Sequence, residues 1–458
     1  MTKKIVIIGV VVVAALAALP VVGNFSVNKV LDKRIAALEQ NGINVEEKDN
    51  GSNYLTTKSH YEFKLEDAAK FEAYLGTLSE AQVPGYMSAM LDDVVMAADV
   101  EFSNVMVESD VSIELYPVAF TPAADKRMLD EDANLHQQMN DLLKKKAFLY
   151  HMDYDVAGSK FKGYIKDIDE TITFKDEKTA KILFKSATFK GSGTLVEPKS
   201  VDFNVKNADV HFHFPESAEM MLKLENLSSS SDFTSKYSFD IDYTLSVLDF
   251  SFITPKSHVK IDGRDFKALS TSKISDKKVN TSASISMKYF KSKDGNGSLE
   301  LHDFAFSTEL NNVDEAGYLS LKKASEKAGP SSQYTALAAI GVASKGFELK
   351  IDNISVDTMA IKEGPLMQGF KHKIDITIAP DDTLLQKIQM SPLLVANNIK
   401  VDADLDFSSE LYGYLLETNP QLTMVDKYAK VEGKRVLFNI KIENSEVLVN
   451  GSNILKGP

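Results

Sequence analysis

Long stretches of this chain alternate apolar and polar residues, and this period of two limits the possible fold more than any other feature. Tyr237–Val247 carries an apolar side chain at every second position with serine, aspartate or threonine between, and Val436–Ile442 has a similar pattern. Successive side chains of a β-strand point to opposite faces, so each such strand has one apolar face. This favours an antiparallel sheet buried on one side over a parallel sheet wrapped by helices.

Three of the longer alternating stretches change phase part-way along. They are Val201–Phe214, Leu299–Phe306 and Phe347–Val356. Asparagine or aspartate stands at or beside each change, namely Asn207 and Asp209, Asp303, and Asp352 and Asn353. A phase change within a strand requires a β-bulge or a tight bend, which also increases the twist. The pattern indicates either a repeated strand unit in a curved, elongated sheet or three unrelated hairpins.

Segments with helical periodicity are fewer, and they are natural covers for an apolar sheet face. The predicted helices are Leu65–Leu78, Tyr86–Ala97, Asp125–Ala147, Asp314–Ala328, Thr335–Ala343, Asp382–Ala396 and Ser409–Thr418. The sequence therefore predicts a mainly β (β-rich α+β) fold, with an elongated, twisted antiparallel-sheet body and covering helices. The predicted regions are a cytoplasmic tail (1–4), a transmembrane anchor (5–23), a helical stalk (24–41), an N-terminal α+β region (42–150) and a strand-rich body (151–458).

An uncharged apolar stretch, Ile5–Gly23, follows Lys3 and Lys4 at the start of the chain. As a helix it would be roughly 28 Å long, about the thickness of the hydrocarbon core of a bilayer. It is longer than the roughly 7–15 apolar residues of a signal peptide, which favours a retained anchor over a cleaved signal. A helical stripe continues behind it, and Asn41-Gly42 supplies a helix end. The lysines around the span do not decide its orientation, but the short tail before a large folded part favours a single pass with the bulk outside the cytoplasm.

The composition excludes several classes of function. The formal net charge is -13, whereas a nucleic-acid-binding surface needs clustered lysine or arginine. The absence of cysteine removes disulfides, thiolate catalysis and cysteine-based zinc sites. It suits a bacterial periplasm and is also compatible with reducing compartments.

Asp209, His211 and His213 are candidates for a metal site, because alternate positions share one strand face and these side chains suit zinc or copper. The alternative is a solvated polar face, which we favour because no fourth ligand is identified. Ser270–Lys273 and Ser320–Lys323 match Ser-x-x-Lys, but no Ser-Asp-Asn or Lys-Thr-Gly accompanies them. The sequence has no Gly-x-Ser-x-Gly, phosphate-binding loop or His-Glu-x-x-His motif. We therefore predict no catalytic residue, no cofactor and no metal.

The C-terminal stretch carries a resemblance to a known family. It runs from Leu411–Leu415 through a helix to Tyr428–Leu455, with Val449-Asn450-Gly451 near its end. Together with the predicted anchor and the strand-rich body, it resembles the YdgA-like family, bacterial inner-membrane-anchored proteins that lack an assigned biochemical function. The architecture is also similar to that of AsmA-like proteins, in which a single-helix anchor bears an elongated twisted sheet implicated in lipid movement to the outer membrane. The resemblance implies a single-pass inner-membrane protein with its bulk in the periplasm, and it contributes no catalytic residues.

Two functions remain, and an enzyme ranks below both because no polar constellation for catalysis is found. The first is a tethered envelope scaffold or interaction protein, which needs only an exposed surface and the anchor. The second is a module that binds or transports lipid or another hydrophobic ligand in an apolar groove along the sheet. The predicted groove residues are Phe239, Ile241, Tyr243 and Leu245. The predicted partners are the inner membrane through residues 5–23 and either a phospholipid or another envelope protein, with no nucleic acid.

Overall fold

In the computed structural model the chain is mainly β, as the alternation predicts. The structure describes residues 35–51, 53–67, 69–71, 73–74, 95–103, 110–155, 159–194, 198–235, 237–329, 331–390, 397–444 and 446–454. The predicted anchor Ile5–Gly23 and most of the predicted stalk lie outside these residues. Within them, no helix has both the length and the apolar character needed to cross a membrane.

The chain divides into two compact units. Unit 1 comprises Met1–Asp232 and Ser251–Lys256, and unit 2 comprises Phe233–Phe250 and Ser257–Pro458. In each unit, neighbouring strands of the described residues pair in antiparallel fashion. This confirms the predicted antiparallel, β-rich fold.

Unit 1 is built on strands that mostly pair in sequence order. They are β1 (Ile43–Asn50), β2 (Thr56–Leu65), β3 (Val95–Ser103), β4 (Asp110–Ala119), β5 (Tyr150–Asp155), β6 (Lys160–Ile165), β7 (Ile168–Thr173), β8 (Thr179–Gly193), β9 (Pro198–Phe214) and β10 (Ala218–Ser235), which runs past the unit boundary. Strand β8 pairs with β6, β7 and β9. The helices are residues 35–40, α1 (Pro122–Glu131) and α2 (Ala133–Lys144), and residues 69–71 and 73–74 are also helical.

The first helical residues of the described chain cover one apolar face of unit 1. Leu38 and Phe71 are each 1% exposed, in one cluster with Phe63 of β2. The helix at 35–40 ends where the sequence predicts, at Gly42, whose φ is +91°. A Cβ atom there would lie 2.5 Å from the carbonyl oxygen of Asp67, so glycine is needed for both backbone conformation and space.

Helices α1 and α2 cover a second cluster, in which Met128 and Leu142 pack with Ile172 of β7 and Ile182 of β8. The sequence predicts one helix here, Asp125–Ala147, and that prediction is wrong. Asp132 has an extended backbone with φ of -158°, and its carboxylate accepts hydrogen bonds from the backbone N–H groups of Asn134 and Leu135 in the first turn of α2. The residue therefore ends α1 and caps the next helix.

Unit 2 continues the antiparallel arrangement. Its strands are β11 (Ser238–Ile253), which runs past the unit boundary, β12 (His258–Ser275), β13 (Lys278–Asp294), β14 (Gly297–Asp314), β15 (Phe347–Ile361), β16 (Met367–Ile378), β17 (Ile399–Ser408), β18 (Lys430–Glu432), β19 (Arg435–Glu443), β20 (Glu446–Val449) and β21 (Ser452–Asn453). Its helices are α3 (Glu315–Ala328), α4 (Gln333–Ser344), α5 (Leu384–Met390), α6 (Ser409–Thr418) and α7 (Thr423–Asp426), with a 3₁₀ turn at Pro420–Leu422.

Three predicted helices of unit 2 are confirmed as α3, α4 and α6. The predicted helix Asp382–Ala396 is α5 up to Met390, and 391–396 lie outside the described residues. The prediction Tyr86–Ala97 is wrong at its end, because Val95 begins β3, and its remainder lies outside the described residues. The prediction Leu65–Leu78 is wrong at its start, because Leu65 is the last residue of β2.

The phase change in β15 is a β-bulge, as predicted. At Asp352 and Asn353 the register shifts against both neighbouring strands, between Ser307 and Thr308 of β14 and between Ile351 and Ile354 of β15. Because of the extra residue, the apolar side chains after the bulge point to the same face of the sheet as those before it.

The phase change in β14 is a bend without a register shift, and a matching bend lies in β12, where the sequence predicts no phase change. In β14, Asp303 has φ of +49°, and in β12, Asp265 has φ of +51°. Both are next to residues that pair with Tyr289, so they flank the same point of β13. Aspartate tolerates this left-handed conformation better than most residues.

Unit 1 repeats this arrangement around β9, and the sequence misplaces the bend. Strand β9 keeps its register past Asn207, whereas Ser186 of β8 and Asn226 of β10 have φ of +54° and +53°. In both units two left-handed residues flank one strand, which favours the repeated strand unit over unrelated hairpins.

Candidate apolar binding face

One face of the unit 2 sheet carries apolar side chains across β12, β13, β14 and β15. Ala268 pairs with Ile285, Ile285 with Phe306, and Phe306 with Ile354. Directly opposed residues share a face of the sheet, so these four form one row. Together with adjacent residues they form the open apolar face, defined as Ala268, Ala283, Ile285, Met287, Phe306, Ile351 and Ile354. Each is half-buried or exposed, and none belongs to a buried cluster of the described residues.

Helices cover the same side of the sheet on either side of this surface. Towards one end, Val342 of α4 packs with Val279 and Val313, and towards the other, Leu411 of α6 packs with a cluster that includes Leu301. Along β14, Phe306 lies between Val313 and Leu301. The open apolar face is therefore the part of a helix-covered side that the described helices leave uncovered.

The bulge in β15 keeps this surface apolar. Ile351 is opposite Thr308 and Ile354 is opposite Phe306, and these two partners are two residues apart on β14. Without the bulge, Ile351 and Ile354 would point to opposite faces because they are three positions apart. Asp352 and Asn353 thus place two isoleucines side by side on the open apolar face.

The four predicted groove residues lie on β11, beside β12. Phe239, Ile241 and Leu245 are half-buried, and Tyr243 is 43% exposed. No buried cluster of the described chain includes them. Their side chains therefore keep part of their surface exposed in the described chain.

His372 borders the open apolar face, and the sequence does not single it out. It is directly opposite Ile354, its ring stacks on Phe370 at 4.8 Å between centroids, and Phe407 lies at 4.6 Å. Its Nδ1 accepts a hydrogen bond from the backbone N–H of Asp406. Burial lowers the pKa of His372 below its ordinary value, so the ring is uncharged at neutral pH and adds no charge to the border of the open apolar face.

The candidate metal residues lie on β9, where His213 is exposed and His211 Nε2 is 2.7 Å from Glu219 Oε1 of β10. Glu219 was not a predicted partner, and it becomes a neighbour of His211 through the strand register. Among the described residues, no group of three histidine, aspartate or glutamate side chains has an arrangement that could hold a metal ion.

The two Ser-x-x-Lys matches acquire no catalytic geometry. Ser270 and Lys273 lie three positions apart on the regular strand β12, so their side chains point to opposite faces. Ser320 and Lys323 are both exposed on α3. Lys273 is therefore not placed to activate Ser270, and within the described residues no hydrogen bond joins Ser320 to Lys323.

A polar network in unit 1 was not foreseen from the sequence. Asp99 of β3 lies 2.5 Å from His60 Nδ1 of β2, accepts a hydrogen bond from the Tyr116 hydroxyl of β4 at 2.9 Å, and lies 2.8 Å from Lys146 Nζ. Lys146 also lies over the Tyr116 ring, 3.8 Å from its centroid. Strand pairing brings these residues together, although they span much of the N-terminal sequence.

Asp99 and Lys146 form an ion pair at the centre of this network. Partial burial alone would raise the pKa of Asp99, but hydrogen bonds from Lys146, His60 and Tyr116 outweigh it and hold the pKa below its usual range. Burial would likewise lower the pKa of Lys146, and its contact with Asp99 raises it instead. Both groups remain charged near neutral pH, so neither is poised for proton transfer.

A shallow cavity of ≈ 510 Å³ also lies in unit 1. Its charged lining includes Lys162 near Asp153 at 3.9 Å and Lys190 near Asp202 at 3.5 Å. These opposite charges largely neutralise each other, so the cavity offers no concentrated charge for a ligand.

No family model, curated protein or solved structure matches this chain.

Proposed function

We propose that this chain is a membrane-anchored protein of the bacterial envelope, similar to YdgA-like proteins, that holds lipid acyl chains on the open apolar face of unit 2. The supporting observation is that Ile285, Phe306 and Ile354 remain accessible in the middle of a sheet side that helices cover elsewhere. Exposed contiguous apolar surface of this kind marks binding sites on soluble domains. The predicted groove residues Phe239 and Ile241 extend the proposal to β11.

The chemistry of the surface favours a hydrocarbon chain over a polar ligand. The open apolar face has no charged side chain, and the neighbouring His372 is neutral because of its burial. Four neighbouring strands are about 14 Å across from first to last, wide enough for acyl chains to lie on the sheet. Each methylene group removed from water contributes about 0.8 kcal/mol to the free energy of binding. Even a partly covered acyl chain would therefore bind with a substantial gain in free energy.

The proposed location follows from the sequence. Ile5–Gly23 would hold the chain in the inner membrane, with the bulk in the periplasm and lipid close by. The acidic net charge of -13 argues against attraction to anionic headgroups as the main source of affinity.

Photo-crosslinking tests this function. Membranes with the full chain and a phospholipid carrying a photoreactive acyl chain are irradiated, and the crosslinked peptides are identified by mass spectrometry. We expect crosslinks in β12–β15 and their loss in Ile285→Asp, because a charge in a dry apolar site costs several kcal/mol. Leu269→Asp is the matched control, since Leu269 is 49% exposed and lies on the opposite face from its neighbour Ala268.

Two results would contradict lipid binding: no acyl crosslinks in these strands of the wild type, or equal losses in both variants.

A tethered scaffold is the second candidate. Cross-strand ion pairs on the other face support it, with Arg264 2.7 Å from Asp249 and Lys291 2.7 Å from Glu300. Such a rigid, charged surface suits a protein partner. Co-purification of an envelope protein that Arg264→Ala abolishes, together with no lipid crosslinks, would favour it.

A further inference from the structure

Helix α4 of unit 2 has an unusual composition for a surface helix. Its sequence, Gln333–Ser344, contains no charged residue, and apolar residues are distributed around it without a polar face. Thr335 and Val342 are its buried residues, whereas Tyr334 is 74% and Leu337 is 46% exposed. A helix that is apolar all round is normally buried, so its outer side is expected to contact an apolar partner.

The structure holds this helix firmly in place. Gly329, with φ of +82°, ends α3, and the Ser332 side chain caps α4 by accepting a hydrogen bond from Thr335 N. The Thr335 hydroxyl donates to the carbonyl oxygen of Gly329 at 2.8 Å. At its inner side, Val342 packs on the sheet next to the open apolar face. The exposed apolar side is therefore a fixed feature of the fold.

Residues of the neighbouring helix α5 enlarge the apolar surface. Helix α5 packs beside α4 and exposes Leu385 at 39% and Met390 at 79%. Lys345 is 2.9 Å from Asp382, and Lys387 is 2.6 Å from Asp381. The docking patch is defined as Tyr334, Leu337, Leu385 and Met390. These four side chains are apolar or aromatic, and the two lysines at the end of α4 and in α5 are paired with aspartates.

We propose that the docking patch inserts into the surface of a zwitterionic lipid bilayer, which places the open apolar face beside its source of acyl chains. This inference rests on the proposed function. Helix α4 is about 18 Å long, too short to span a bilayer, and its exposed Tyr334 and Leu337 give it an apolar outer side that a lipid surface would cover. Tyrosine favours the membrane–water interface, and the absence of charge on α4 matches a lipid surface without net charge. The uncharged stretch Ile5–Gly23, which lies outside the described residues, would keep a bilayer within reach.

The chain has no cysteine, so single cysteines report on chosen positions. Leu337→Cys and Val431→Cys are labelled with an environment-sensitive fluorophore, and each full chain is reconstituted in phosphatidylcholine vesicles. Val431 is the matched control, because it is 66% exposed in the same unit and outside the docking patch. We expect a blue shift, and quenching by phosphatidylcholine spin-labelled on its acyl chain, at position 337 and neither at position 431.

A second change tests the contact itself. Tyr334→Asp in the Leu337→Cys background should abolish the shift and the quenching, whereas Met424→Asp, at a residue 75% exposed elsewhere in the unit, should leave both unchanged. Equal signals at positions 337 and 431 would overturn the proposal. So would a shift that follows protein density instead of lipid, which would identify a second copy as the occupant. Acyl crosslinks to β12–β15 without quenching at 337 would refute docking alone, and quenching without crosslinks would refute the proposed function alone.

Discussion

Val279 and Ile285 lie on the same face of β13, six residues apart, yet Val279 is fully buried and Ile285 is 36% exposed. The strand and the side-chain type are comparable, so the difference comes from what lies above each residue. Val342 of α4 covers Val279, and no helix of the described chain covers Ile285. Val279 therefore belongs to a packed core, and Ile285 belongs to an accessible apolar surface.

This difference predicts opposite responses to the same substitution. Val279→Asp should lower the free energy of unfolding by about 3–5 kcal/mol, because it buries an unpaired charge, whereas Ile285→Asp should cost about 1 kcal/mol or less. Chemical denaturation of the full chain in detergent measures both. If Ile285→Asp destabilises the protein as strongly as Val279→Asp, the face is covered and the lipid-binding proposal fails.

The left-handed bend at Asp303 supplies a second prediction. Asp303→Val should lower the free energy of unfolding by about 1–2 kcal/mol, because a β-branched residue clashes with its own backbone at this φ. Asp303→Asn should change it by about 0.5 kcal/mol or less, because asparagine accepts this conformation. Asp357→Val on β15 is the control, since Asp357 is exposed and has no positive φ. Equal effects of valine at both positions would mean that the bend does not constrain the residue.

The sequence predicts the individual strands and helices of this fold better than it predicts how they pair and pack. Helix α6 is predicted at its observed bounds, because Ser408 caps it and a strand precedes it. The helix pair α1 and α2 is missed because Asp132, which separates them, lies in a continuous charged, amphipathic run. The bulge at Asp352 and Asn353 and the bend at Asp303 are predicted at their observed positions. The phase change in β9 is misplaced, because it reflects left-handed residues on the neighbouring strands, Ser186 and Asn226.

The sequence predicts that the candidate site is an apolar sheet face, but it does not predict which part of that face stays uncovered. Alternation assigns one apolar face to a strand, but the pattern around Ile285 is the same whether a helix covers that face or not. Coverage depends on where α4 and α6 pack, and these are contacts between distant parts of the chain. The Asp99 network escapes prediction for the same reason, since His60 and Lys146 meet only through the strand register.

Asp99 gives a prediction for the dependence of stability on pH. Its pKa in the folded chain is held below the value of about 3.9 expected in an unfolded chain. A carboxyl group of this kind contributes its full stability above the unfolded pKa and loses it as the pH falls through the folded pKa. Asp99→Asn should therefore cost stability at neutral pH, and the gap to the wild type should narrow as the pH falls below about 4.

The expected cost at pH 7 is about 1–2 kcal/mol, because Lys146 and His60 lose a charged partner while the 36% exposure of the Asp99 side chain weakens each interaction. Asp176→Asn is the matched control. Asp176 is paired with Lys178 at 3.3 Å but 79% exposed, so its loss should change stability by about 0.5 kcal/mol or less. Thermal denaturation of the full chain in detergent from pH 7 to pH 3 compares the three proteins. A gap between Asp99→Asn and the wild type that stays constant over this range would show that the ionised carboxylate of Asp99 does not stabilise unit 1.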